Sequence, residues 1–251
     1  MLPSKFKPKG LFDLVRLGKN NDGGYLIEKQ SLESARSLIS FGLSTDWSFE
    51  KHFYKLNPVL IHSYDHTLTV GFLLKNIFKN FMKILIGKIM LAIRSIGIAI
   101  DYLIFFRDNK LHFLEKIGSE QKATSLNKVF SRIDENKKPF FIKIDIEGSE
   151  YRIMDDLIDN ADDISGLAIE LHDVDLHKEK IENFINNFSL KLVHIHPNNF
   201  SDLDKNGDPT TLEITFANSP KIINSKSKIP HELDQKNNPD DKDQILNFVE
   251  Y

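Results

Sequence analysis

The chain has 251 residues, 41% of them hydrophobic and 27% charged, with 12 glycines, 9 prolines and no cysteine; this excludes a collagen, a disordered tail and a disulfide-stapled module. A chain of this length buries roughly 70–75% of its unfolded surface in one sizeable core. Without thiols its chemistry rests on His, Asp, Glu, Asn and backbone, and with 33 Lys and Arg against 36 Asp and Glu (net charge -3) no nucleic-acid partner is expected.

The N-terminal MLPSKFKPKGLF is basic and lacks the apolar run of a signal peptide, so a cytoplasmic protein is expected. Asn20 to Tyr25 (NNDGGY) has the composition of a tight turn, either a plain hairpin turn or part of a site. The first apolar strand is Ser37 to Gly42, followed by a helix over Ser48 to Leu56 and a second strand over Leu60 to Asp65. An apolar and basic helical insert fills residues 70–110. Strands then follow at Leu111 to Ile117, Phe140 to Ile146, Gly166 to His172, Leu190 to His196 and Leu212 to Ala217. Helical spacing recurs at Ser125 to Ile133, Ser149 to Asn160 and Lys178 to Phe188.

Strands alternating with helices predict an α/β protein with a mainly parallel, doubly wound sheet. The last two strands are joined by the turn-rich loop Pro197 to Thr210 without a helix, so the final one is expected to be antiparallel and near the edge. Residues 1–220 read as one domain carrying the insert. Residues 221–251 read as a polar C-terminal surface tail whose final ILNFVEY tucks onto the body.

In such sheets ligands bind outside the carboxyl ends of the strands. There the Phe140 strand presents Asp145 and Glu147, the Gly166 strand Glu170 and His172, and the Leu190 strand His194 and His196. Residues i and i+2 share a face, so each pair points one way. Glu147 could simply cap the next helix, and His194 reads as structural. Burying Asp145, Glu170 and His172 beside apolar strands is costly without a ligand or partner, which favours function for them. Asp65, ending the second strand, stands where an acid accepts hydrogen bonds from a ribose, or is a turn aspartate. The loop after the first strand, FGLSTDWSFE, has one glycine, so a dinucleotide phosphate cradle is unsupported while a nucleoside is compatible.

Taken together, RLGKNNDGGYLI (Arg16 to Ile27), SFGLSTDWSFE (Ser40 to Glu50), SYDHT (Ser63 to Thr67), ATSLNKVF (Ala123 to Phe130), FIKIDIEGSEYRIM (Phe141 to Met154) and AIELHD (Ala168 to Asp173), with the later HIHPNNF and TLEITF, resemble the FkbM-type methyltransferases. The resemblance spans roughly residues 16–217 and rests most on KIDIEGSE and DGGY. It implies a Rossmann-like class I methyltransferase fold, S-adenosylmethionine as cofactor, and methylation of a hydroxyl on a sugar, glycolipid, polyketide or other secondary metabolite; of these, the carboxylate, imidazole and amide groups at the strand ends favour a sugar or polysaccharide precursor of capsule or surface-glycan type, with a carbohydrate or sugar nucleotide as acceptor. It further implies that Asp22 and Gly24 of the turn, Gly42, Asp65, the Gly118-Ser119 turn and Asp145 bind the cofactor. The insert is longer than a minimal member of that family needs.

Methyl transfer to an alcohol needs alignment and removal of a proton, for which a histidine of near-neutral pKa is suited. His172 is the expected base, Glu170 its orienting neighbour, and His196 with Asn198 and Asn199 an acceptor lining. A second arrangement has Asp145, Glu170 and His172 hold a divalent cation. A non-catalytic binding protein or adaptor is the competing class, supported by the single-glycine loop. The insert, with Lys75, Lys79 and Lys83 at i, i+4, i+8, is expected to be a helical hairpin broken near Gly87 or Gly97. Its apolar face would pack on the body or in a homodimer, or lie on the inner face of an anionic membrane.

Overall fold

The structure, a computed structural model, describes residues 1–249. Glu250 and Tyr251, the end of the ILNFVEY segment, lie outside the described residues. The chain opens with the short strand β1 (Leu11–Phe12) and an antiparallel hairpin of β2 (Leu14–Leu17) and β3 (Tyr25–Glu28), followed by α1 (Lys29–Ser34). Then come β4 (Ser37–Phe41), α2 (Ser48–Leu56) and β5 (Leu60–Tyr64). The insert forms α3 (Val70–Met82) and α4 (Ile89–Phe105). The second half contains β6 (Lys110–Phe113), α5 (Leu126–Phe130), β7 (Phe140–Ile144), α6 (Met154–Asp159), β8 (Ile164–Leu171) and α7 (Val174–Asn187). It finishes with β9 (Lys191–Pro197), β10 (Leu212–Ala217) and β11 (Ile222–Asn224).

Seven strands form one sheet in the order β6-β5-β4-β7-β8-β10-β9. Neighbours from β6 to β8 are parallel, and β10 runs antiparallel to both β8 and β9. This is a Rossmann-like, doubly wound sheet. Every residue of β4, β7 and β8 is buried, which is why these strands are apolar almost throughout. The two faces are separate apolar layers. Phe140, Ile142 and Ile144 pack with Val129, Leu157 and Phe184, while Phe141 on the opposite face packs with Phe49, Phe53 and Leu38.

Several expectations are corrected. The final strand, β10, is antiparallel as expected but lies inside β9, which takes the edge, so β8 with Glu170 and β9 with His194 and His196 are not adjacent. The segment read as a helix from Ser149 begins as a 3-10 turn, Glu150–Arg152, before α6, and the helix expected from Lys178 starts at Val174. The turn at Asn20 to Tyr25 does join two hairpin strands, and this hairpin lies over the sheet, with Thr215 donating to the Leu26 carbonyl at 2.6 Å. The insert breaks at Gly87, whose φ of +78° suits a residue without Cβ, and Gly97 stays inside α4.

The tail does more than run over the surface. β11 pairs with β1, Asn237 is buried, and Leu246 and Phe248 pack on the core. Among the described residues no helix is long and apolar enough to cross a membrane.

Candidate active site

A cavity of about 550 Å³ opens at the carboxyl ends of β4, β5 and β7, large enough for a nucleoside-sized ligand. Gly42 and Asp145 form part of its wall. Gly42 has φ +82°, and a Cβ there would run into the backbone carbonyl of Asp145, so only glycine lets the two strand ends approach this closely. Its carbonyl accepts from the buried Lys143 ammonium at 2.8 Å, which also lies 3.6 Å from Asp145.

Asp65 faces the same cavity, but its carboxylate is engaged by the protein. Leu43 and Ser44 N–H donate to one oxygen at 3.0 and 2.8 Å, and Thr67 donates to the other through N–H and hydroxyl at 2.7 and 2.6 Å. These bonds hold its pKa below the usual carboxylate range although burial acts the other way. Asp65 therefore organises the two loops that border the cavity. Of the DGGY turn, Asp22 lines the cavity while Gly24 packs against the Arg16 guanidinium. Glu115 to Ile117 line the far side. The Gly118-Ser119 turn comes just after them, with Gly118 buried, Ser119 exposed and neither in the wall.

Beside the cavity Asp145 meets a second set of groups. The Tyr25 hydroxyl lies 3.2 Å from Asp145 and 3.0 Å from Glu170, and Asn198 donates to the other Glu170 oxygen at 2.9 Å. His172 Nδ1 is 2.6 Å from Glu150, which is fully buried and also accepts the His172 backbone N–H at 3.0 Å. That fixes the ring with Nε2 toward Glu147 at 3.5 Å and Glu170 at 3.6 Å. Burial opposes charge on His172, yet the hydrogen bond and charge of Glu150, with Glu170 and Asp145 beyond, raise it to about 9. The near-neutral imidazole expected from the sequence is thus corrected: Glu150 keeps it protonated at neutral pH. Glu170 is pushed up by burial and then by Asp145 and Glu213.

Asp145, Glu147 and His172 each offer a ligand atom within 4.8 Å of the others, so these three could hold a cation. This corrects the expected trio: Glu147 replaces Glu170, whose oxygens serve Tyr25 and Asn198. His196 is also placed elsewhere. It is buried against Glu213 at 3.9 Å and the tail residue Asp243 at 3.3 Å, while His194 bonds Asp234 at 2.8 Å and Asn199 bonds the Asn238 and Lys242 carbonyls. These side chains fasten the tail.

Glu150, Tyr25 and Lys143 are the site residues that sequence reasoning missed. Glu150 and Lys143 stand inside KIDIEGSE, but the groups they bond, His172 and the Gly42 carbonyl, come from distant segments, so no spacing signal reports those contacts.

No family model matches the sequence, and no curated protein does. Solved structures resemble the chain, among them the following three. The fibrillarin/Nop5p complex matches with a TM-score of 0.39 and 9% identity over 76% of this chain and 75% of that one. The Methanococcus jannaschii fibrillarin pre-rRNA processing protein matches with 0.40 and 10% over 78% and 71%. An rRNA methylase from Streptococcus thermophilus matches with 0.35 and 10% over 74% and 89%. Likeness of this degree says nothing of substrate or reaction.

Proposed function

We propose that the chain is an S-adenosylmethionine-dependent O-methyltransferase of FkbM type, acting on a hydroxyl of a sugar or polysaccharide precursor. One observation carries this: Asp145 both walls the nucleoside-sized cavity and stands in the carboxylate–imidazole cluster with His172. A cofactor pocket and a proton-accepting group therefore meet at one residue. The close approach at Gly42 and the carboxylates of Asp22 and Asp145 suit a ligand that pairs hydroxyls with positive charge.

S-adenosylmethionine supplies an electrophilic methyl carbon on a sulfonium. Gly42 allows the close approach of backbone, and Asp65 holds the bordering loops through its four short bonds. Tyr25 fixes Asp145 and Glu170 relative to each other. His172 accepts the acceptor's hydroxyl proton at Nε2, while its Nδ1–H donates to Glu150, which stabilises the imidazolium that results. Because His172 titrates near 9, this role predicts activity that rises toward alkaline pH. The carboxylates, imidazole and amide around Nε2 favour a polyhydroxylated acceptor over an apolar one.

Calorimetry with S-adenosylmethionine tests the reading. Absence of binding at millimolar ligand refutes it, whereas binding followed by loss of product in His172→Ala, with cofactor affinity kept, supports it. Binding without turnover of any glycan or sugar nucleotide would instead assign the chain to the non-catalytic class. A second reading, a divalent cation on Asp145, Glu147 and His172 lowering the pKa of the acceptor hydroxyl, draws on their mutual reach of 4.8 Å. Full activity after chelation excludes it.

A further inference from the structure

We propose that the α3–α4 hairpin docks this protein onto an anionic lipid bilayer. Only its base belongs to the core: Leu73 and Phe105 are buried, and Ile98, Ala99, Tyr102 and Phe106 pack beside them. A pair between Lys51 and Asp101 closes the same end. Beyond the base the two helices pack on each other and turn large apolar side chains outward. Leu85 at the tip is 82% exposed, Met90 70% and Phe78 68%, with Phe81, Met82 and Ile93 all above half. An apolar surface of this extent is not left in water without a use.

The charge pattern identifies the occupant. From Val70 to Ile100 the sequence carries Lys75, Lys79, Lys83, Lys88 and Arg94 and no acid; Asp101 is the first. A second copy of the chain is disfavoured by this set, since a two-fold interface would place these cations against their own kind. A bilayer with anionic headgroups satisfies both features, taking the apolar side chains at the acyl boundary while lysine stems reach back to the headgroups. Length agrees. At 1.5 Å per residue α3 and α4 are only about 20 and 25 Å long, short of a tilted span with flanking charges but ample for lying in the interface.

The hairpin springs from the rim of the cavity, since Thr67 lines the cavity and Thr69 caps α3. Docking therefore bears on where the protein works and does not depend on which reaction it performs.

Flotation of the full chain with vesicles decides the matter, comparing phosphatidylglycerol–phosphatidylcholine mixtures with phosphatidylcholine alone. Binding is expected to the anionic vesicles, weakened by salt. Lys75→Gln/Lys79→Gln/Lys83→Gln is expected to lower partition about a hundredfold, at about fivefold per cation. Phe81→Ser/Leu85→Ser is expected to lower it as well. All five side chains lie off the core, so thermal melts of these variants should match the parent. Absence of flotation overturns the proposal, whether the face is then covered by a second copy in solution or by another protein. Equal binding to neutral vesicles, unmoved by the lysine variant, overturns the anionic assignment.

Discussion

Replacing Gly42 by alanine tests the cavity from its most constrained point. Gly42 sits at φ +82°, and the added methyl would meet the Asp145 backbone carbonyl, which cannot swing aside as a flexible side chain could. The left-handed backbone costs an alanine about 1–2 kcal/mol, and forcing a methyl into a packed contact adds about 1–3 kcal/mol. The expected loss is about 2–5 kcal/mol, a large share of the roughly 5–15 kcal/mol of a typical domain. Gly148 is the matched control: its φ is +88°, but among the described residues a Cβ there meets nothing within 4 Å. Gly148→Ala should therefore lose only the conformational part, about 1–2 kcal/mol. Urea unfolding measures both. Relief of the clash also moves the Asp145 end of β7, so calorimetry should find S-adenosylmethionine binding weakened in Gly42→Ala, and turnover reduced about a hundredfold for a displacement near 1 Å. Equal stability losses in the two variants, or parental cofactor affinity in Gly42→Ala, would refute the reasoning.

Three further expectations address other parts of the molecule. In the wild type, methyl transfer should rise with pH through the titration of His172 near 9; Glu150→Gln removes the partner that holds the proton, so the alkaline limb should move to lower pH, and an unmoved limb rules out the pairing as the cause. His62 is buried between Tyr64 and Phe113, and burial, then Arg132, lowers its pKa to about 4. Its folded value lies below the unfolded one, so the fold favours neutral imidazole, and stability is whole above about pH 6.5 and declines as pH falls toward 4. His62→Phe should flatten that decline by about 2–3 kcal/mol once solvent screening is allowed for, as urea melts at neutral and acid pH would read. Asn237→Ala leaves buried Glu213 without the tail's donor at 2.6 Å and should cost about 2 kcal/mol; a melting temperature equal to the parent's would dismiss the tail as a structural strap.

The parallel strands were legible because burial on both faces makes SLISF, FFIKI and GLAIEL apolar residue after residue. Their ends carry the ionisable groups, which makes Asp145, Glu170 and His172 conspicuous in the sequence. The N-terminal hairpin was harder: β2 contains Arg16, and its strands are only four residues long, too short for alternation to register. The position of β10 between β8 and β9 is not legible, because a loop such as 198–211 also permits it to return along the outer side of β9. His194 and His196 illustrate the remaining difficulty. Their partners Asp234 and Asp243 lie in a tail whose polar composition reads as a solvated surface, and a hydrogen bond between distant segments leaves no periodic trace.

The insert between β5 and β6 has a consequence for how such a chain can vary. These neighbouring strands remain paired in parallel across residues 65–109 because Leu73 and Phe105 return to the same core, so the insert's two ends close on each other. Closure entropy grows only logarithmically with length, about 0.6 kcal/mol per doubling. The sheet is therefore nearly indifferent to what lies beyond that base. Mutations in the outer hairpin are free to drift, lengthen or change sign without threatening the fold, while those around Gly42 and Asp145 are not. The proposed docking surface and the proposed reaction site would thus have separate tolerances within one continuous stretch of backbone, so that the first can change while the second is kept.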